Sequence, residues 1–127
     1  MNTNIALFSS PVAALNIQYF CNATAYMDAD RLVSSLRQMG TLALLGLAEI
    51  CIRNPQRAEG LGVGFSRRDR TLGFTLVEKF LSGYDLLSSD DYVKACELAY
   101  RYRKQILSFV PSCPEVTIEE IETEIVL

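Results

Sequence analysis

Residues 41–52 read TLALLGLAEICI, and only Thr41 and Glu49 interrupt their apolar character. At helical spacing they leave no continuous polar stripe, so the helix that carries them has to be covered on every side. The pattern reaches back toward Asp30. Leu32, Leu36, Met39, Ala43, Gly46 and Ile50 recur at spacings of 4, 3, 4, 3 and 4, a coiled-coil-like seam that predicts one helix over about residues 30–53. Ala43 and Gly46 thin that seam in its middle, where a neighbouring backbone can come close. Gly40 and Gly46 each cost a helix interior about 1 kcal/mol relative to alanine, and close packing is the expected compensation. Leu42, Leu45 and Ile52 form a second seam, and Leu44, Leu47 and Cys51 fill the rest of the circumference.

Upstream, Met1 to Ser9 reads as an extended lead-in, followed by Ser10 as a cap and Pro11 at the first helical position. Val12, Leu15, Tyr19, Phe20 and Cys21 predict a largely buried helix to about Tyr26. Its polar residues, Asn16, Gln18, Asn22 and Thr24, carry no charge. Asp28 or Asp30 caps the central helix, its carboxylate accepting orphan backbone N–H groups at the positive end of the dipole.

Downstream, Arg53-Asn54-Pro55 ends the central helix, because the residue before proline is pushed out of helical geometry. The segment QRAEGLGVGFSRRDRTLG follows, rich in glycine and arginine. LGVGF and TLGFT alternate at period two, so a short β-hairpin at 60–76 is one expectation; three glycines in five residues favour a mobile loop instead. From Thr71 a second pattern, Phe74, Val77, Leu81 and Tyr84, is helical and ends near Gly83. Ser88-Ser89-Asp90-Asp91 reads as a cap with first-turn acids opening a helix to about Phe109, whose buried face is expected at Val93, Cys96, Tyr100 and Leu107. Pro111 and Pro114 stop it. Thr117 and Glu120 then form a capping box for a short acidic amphipathic helix with Ile118, Ile121 and Ile125 on one side.

The expected fold is therefore all-α: a bundle of about four helices around the central helix, with residues 1–110 as one helical domain and 111–127 as an acidic C-terminal segment. A chain of 127 residues, half of them hydrophobic, is the size of one ordinary domain. Its net charge of -3 argues against a protein that coats nucleic acid non-specifically. The charge is uneven. Five acids follow residue 114, so residues 1–114 hold twelve basic and ten acidic groups, and five arginines lie between Arg53 and Arg70.

Four cysteines without a Cys-x-x-Cys pair, and no histidine, argue against zinc ligation, and no metal or cofactor is expected. Cys21, Cys51 and Cys96 fall in apolar helical patterns, which suits reduced thiols in a cytoplasmic protein. The N-terminus lacks the basic residues of a signal peptide, and no apolar run reaches the length of a membrane span. Without histidine there is no Ser-His or Cys-His pair, so an enzyme is not expected.

Two functions from different classes remain. The first is a small helical interaction protein, a regulator, inhibitor or assembly subunit that binds a protein partner and self-associates, since few segments exist to surround the central helix. The second is a phosphate, nucleotide or nucleic-acid binder that uses Arg53, Arg57, Arg67, Arg68, Arg70, Arg101, Arg103 and Lys104, because guanidinium forks match phosphate geometry. GLGVG follows a predicted helix and lacks the spacing of either nucleotide-binding loop, and charged runs between elements are commonly just solvated. The acidic tail has the right sign to cover the arginine segment.

Overall fold

A computed structural model of the chain describes residues 11–54, 64–83 and 86–110. Six helices are present among them and no strand: α1 (Pro11–Thr24), α2 (Ala29–Gln38), α3 (Gly40–Arg53), α4 (Arg70–Ser82), α5 (Ser89–Arg101) and α6 (Arg103–Phe109). The organising element is α3. Every residue from Leu42 to Cys51 is buried, and α3 packs against each of the other five helices. The apolar stretch that defines it thus finds its cover inside one chain, as surface removed from water on all sides of a helix requires. No single helix among the described residues is long and apolar enough to cross a membrane.

The helix expected over residues 30–53 is two helices, α2 and α3, set at 108° to one another. Met39 is the elbow. Its backbone is extended (φ -107°, ψ 100°), its N–H donates to Ser35 O (2.7 Å) and its carbonyl accepts from the N–H of Ala43 (2.9 Å), so it closes one helix and opens the next. Gly40 makes the turn possible against α5: a Cβ there would lie 2.5 Å from Cδ1 of Tyr92. The predicted seam is accordingly divided. Leu32 and Leu36 are buried on α2, Ala43, Gly46 and Ile50 on α3, while Met39 between them is 51% exposed. Cover for the thin middle comes from α6, where Cδ1 of Ile106 stands 3.0 Å from the point a Cβ on Gly46 would occupy.

The expected termini hold where the chemistry is local. Asp28 caps α2 by accepting from the N–H of Arg31 (2.7 Å). Ser88 and Asp91 form a reciprocal capping box at α5 (3.0 and 3.1 Å), and α3 stops at Arg53 with Asn54 as its cap. The predicted hairpin at 60–76 is not formed, because its second strand, residues 71–75, lies inside α4. The lead-in, the Ser10 cap, Arg57 and the C-terminal acidic helix lie outside the described residues.

Two helix faces differ from expectation. In α1, Tyr19 is 53% exposed and Thr24 is buried, its hydroxyl donating to Phe20 O (2.8 Å) so that burial leaves it satisfied. The helix expected from Ser89 to Phe109 breaks at Tyr102 into α5 and α6, and its core face is Asp91, Ala95, Leu98, Ala99, Ile106 and Phe109. Val93 points outward at 55% exposure, and Cys96, Tyr100 and Leu107 are only half-buried. Small residues win the inner face because α5 packs directly on α3, where alanines permit close approach.

Candidate interaction groove and the arginine clusters

The outward stripe of α5 lines an open groove of about 530 Å³. Its opposite wall is the elbow, with Arg37, Gln38 and Gly40, and Tyr92, Val93, Cys96, Glu97 and Tyr100 supply the α5 side. Of the stripe the periodicity assigned to the core, Cys96 and Leu107 pack against it, while Val93, Cys96 and Tyr100 line an accessible cleft. Burial, with Glu97 as a second contributor, pushes the Cys96 thiol up, which keeps it protonated and a poor nucleophile.

At one end of the groove two arginines converge on one ring. The guanidinium carbon of Arg37, from the last turn of α2, lies 4.6 Å from the Tyr100 centroid, and that of Arg103, opening α6, lies 4.2 Å away. Arg103 also donates from Nη1 to Tyr100 O (3.0 Å). Among the described residues neither arginine has a carboxylate within salt-bridge distance.

A second arginine cluster, on the other side of the α5–α6 junction, is closed. Asp69 is buried; its Oδ1 accepts from Nη1 of Arg101 (2.6 Å) and its Oδ2 accepts the Tyr102 hydroxyl proton (2.8 Å). Arg68 adds a longer, exposed ion pair at 3.7 Å. Burial acts to raise the Asp69 pKa, but the hydrogen bonds and charges of Arg101, Tyr102 and Arg68 outweigh it and hold the carboxyl below its ordinary value. The hydroxyl of Tyr102 accepts from the N–H of Ser66 (2.7 Å), and the Gln105 side chain clamps both backbone groups of Gly64 (2.9 and 2.8 Å). Phe65 packs edge-on against Phe74 and Tyr102, at centroid separations of 6.0 and 5.0 Å. A Cβ on Gly73 would stand 2.5 Å from this ring, so glycine is what lets Phe65 seat on α4. The described part of the segment expected as a mobile loop is therefore pinned to α5 and α6.

The third cluster lies on α3. Glu49 is 1% exposed; its Oε1 accepts from Nε of Arg53 (3.0 Å), while Oε2 has no hydrogen-bond partner among the described residues. Burial pushes its pKa up against the opposing pull of Arg53. The Arg53 guanidinium also lies 4.5 Å from the Phe109 centroid.

The arginines singled out from sequence are thus distributed over separate places. Arg53 is engaged with Glu49 and Phe109, Arg101 with Asp69, and Arg103 with Tyr100. Arg67 and Arg68 are exposed on the turn before α4, Arg70 is half-buried at its start, and Lys104 is exposed on α6. Sequence reasoning missed Arg37, whose partner Tyr100 is far away along the chain. It also missed the Glu49–Arg53 pair, although a Glu followed by Arg at i, i+4 is a readable signal. Among the described residues no cluster of three or more Cys, Asp or Glu side chains is placed to hold a metal ion.

Comparison with protein-family models, curated proteins and solved structures finds no match to this chain.

Proposed function

We propose that the protein is a small, non-enzymatic helical interaction protein that binds a protein partner through the groove between the α2–α3 elbow and α5. The observation that carries this reading is the exposed stripe of α5. Val93, exposed and outside the core, lines the groove with half-buried Cys96 and Tyr100 beside arginines, and aromatic and arginine residues are the usual anchors of protein interfaces. Self-association was expected because α3 needed cover. Within the described residues α3 is buried by its own chain, so this reading seats the partner in the groove, and self-association stays part of the proposal with the sedimented mass as its check. The thiol of Cys96, which carries no disulfide, supports a reducing, cytoplasmic setting.

The test is a pull-down from the native source, read by mass spectrometry, with the wild type beside Val93→Asp and beside Leu72→Asp, an exposed apolar position outside the groove. Proteins retained by wild type and Leu72→Asp but lost with Val93→Asp support the reading. An identical set for all three contradicts it.

A further inference from the structure

We propose that Arg37, Tyr100 and Arg103 form an anchor for a carboxylate side chain of the partner, so that the groove takes an acidic amphipathic peptide segment. This rests on the groove being a docking surface and adds the chemistry of what docks.

Two guanidiniums are held at a single ring from two different helices, at 4.6 and 4.2 Å, and among the described residues neither is neutralised by a carboxylate. A guanidinium lying over an aromatic face is attracted by the ring yet keeps edge N–H donors available in its own plane, in the fork geometry that a carboxylate matches. Packing against Tyr100 also removes side-chain freedom that an isolated surface arginine would lose on binding. The contrast with Asp69 supports this: there Arg101 and a tyrosine hydroxyl already hold a carboxylate, in the arrangement the open cluster lacks. Glu97, one turn back along α5, sets a limit, since it disfavours a uniformly anionic ligand such as a phosphate backbone. The exposed Val93 beside Cys96 instead favours a ligand with an apolar side as well as an acid.

The test is selection of a random peptide phage library on the full chain, with Val93→Asp protein used to discard peptides that do not need the groove. The expected result is groove-dependent peptides with Asp or Glu beside apolar residues. In anisotropy titrations the best of them should bind wild type roughly fivefold more tightly than its amide-substituted version, as two partly exposed ion pairs allow. Replacing Arg37 and Arg103 together by Gln should erase that preference, and Arg37→Gln alone decides if the double variant loses its melting transition. Groove-dependent peptides without acids, or an acidic preference that survives loss of the arginines, overturn the assignment and leave the groove intact as a docking surface. No groove-dependent peptide at all overturns both. Three other outcomes would also overturn it by naming another occupant: selected sequences that reproduce the chain's own residues 115–124, a dimer that Val93→Asp dissociates, or a single-stranded oligonucleotide whose binding requires Arg37 and Arg103.

Discussion

The four residues Tyr100-Arg101-Tyr102-Arg103 build two clusters with the same chemistry and opposite accounts. Toward α4, Arg101 and Tyr102 close on buried Asp69, and the segment from Gly64 is tied down with them. Toward α2, Tyr100 and Arg103 meet Arg37, and no carboxylate of the described residues completes the set. Tyr100 lies in the last turn of α5 and Tyr102 sits at the break before α6, so one short run serves both clusters. The carboxylate of the closed cluster is already bound by Arg101 and Tyr102, and the proposal assigns recognition to the open one. Substitutions in the two should therefore separate melting temperature from binding.

The largest effect belongs to the scaffold both clusters share. Leu45→Asp places a carboxylate in the buried circumference of α3 and should abolish cooperative unfolding, as read by circular dichroism; an unchanged melt would mean α3 is not the core. Next comes a pair on α5. Ala95→Asp should cost on the order of 4 kcal/mol because Ala95 has no exposed surface, whereas Val93→Asp should stay within about 0.5 kcal/mol of wild type. Equal costs would restore the phase read from the larger residues and remove the groove.

Within the closed cluster, Asp69→Ala should cost about 1 to 2 kcal/mol, since it removes the charge-assisted bond from half-exposed Arg101 and the bond from the Tyr102 hydroxyl, which keeps Ser66 as a partner, and should lower the melting temperature by about 5 °C. The pH dependence has a definite sign. The folded state holds Asp69 below its ordinary value of 3.8, so its contribution is present above that pH and is lost as the pH falls through the lowered value. Asp69→Asn should flatten this acid limb. Glu49 acts oppositely: its folded value lies above 4.5, so stability is fullest below that pH and declines as the pH rises through the raised value. Glu49→Gln should therefore gain on wild type in melting temperature as the pH is raised above 4.5. The smallest stability effect is expected in the open cluster, where Arg37→Gln should shift the unfolding free energy by less than about 0.5 kcal/mol while reducing binding.

What the sequence disclosed was governed by local chemistry. Asp28, Ser88 with Asp91, and Arg53-Asn54 announced helix ends because a cap is written within four residues. The apolar run after Gly40 announced a buried helix because nothing polar interrupts its circumference except Thr41 and Glu49. The elbow at Met39 was hidden, since heptad-like spacing runs straight through it and the bend depends on Tyr92 seating against Gly40 from another helix. The phase of α5 was misjudged for a related reason. Its large residues, Val93 and Tyr100, suggest one inner face, but contact with α3 selects the alanines. Of the arginines singled out from sequence, Arg53, Arg101 and Arg103 are engaged by Glu49, Asp69 and Tyr100, and no spacing rule joins Arg37 to Tyr100.

The central claim is that the Val93 face of α5 is occupied by another protein when the chain is at work. A photo-crosslinking amino acid placed at position 93, with position 72 as a second exposed site outside the groove, tests it directly in the native source. The account predicts a discrete heavier adduct from position 93 that is absent from position 72. No adduct from position 93, or the same adduct from both, would contradict it.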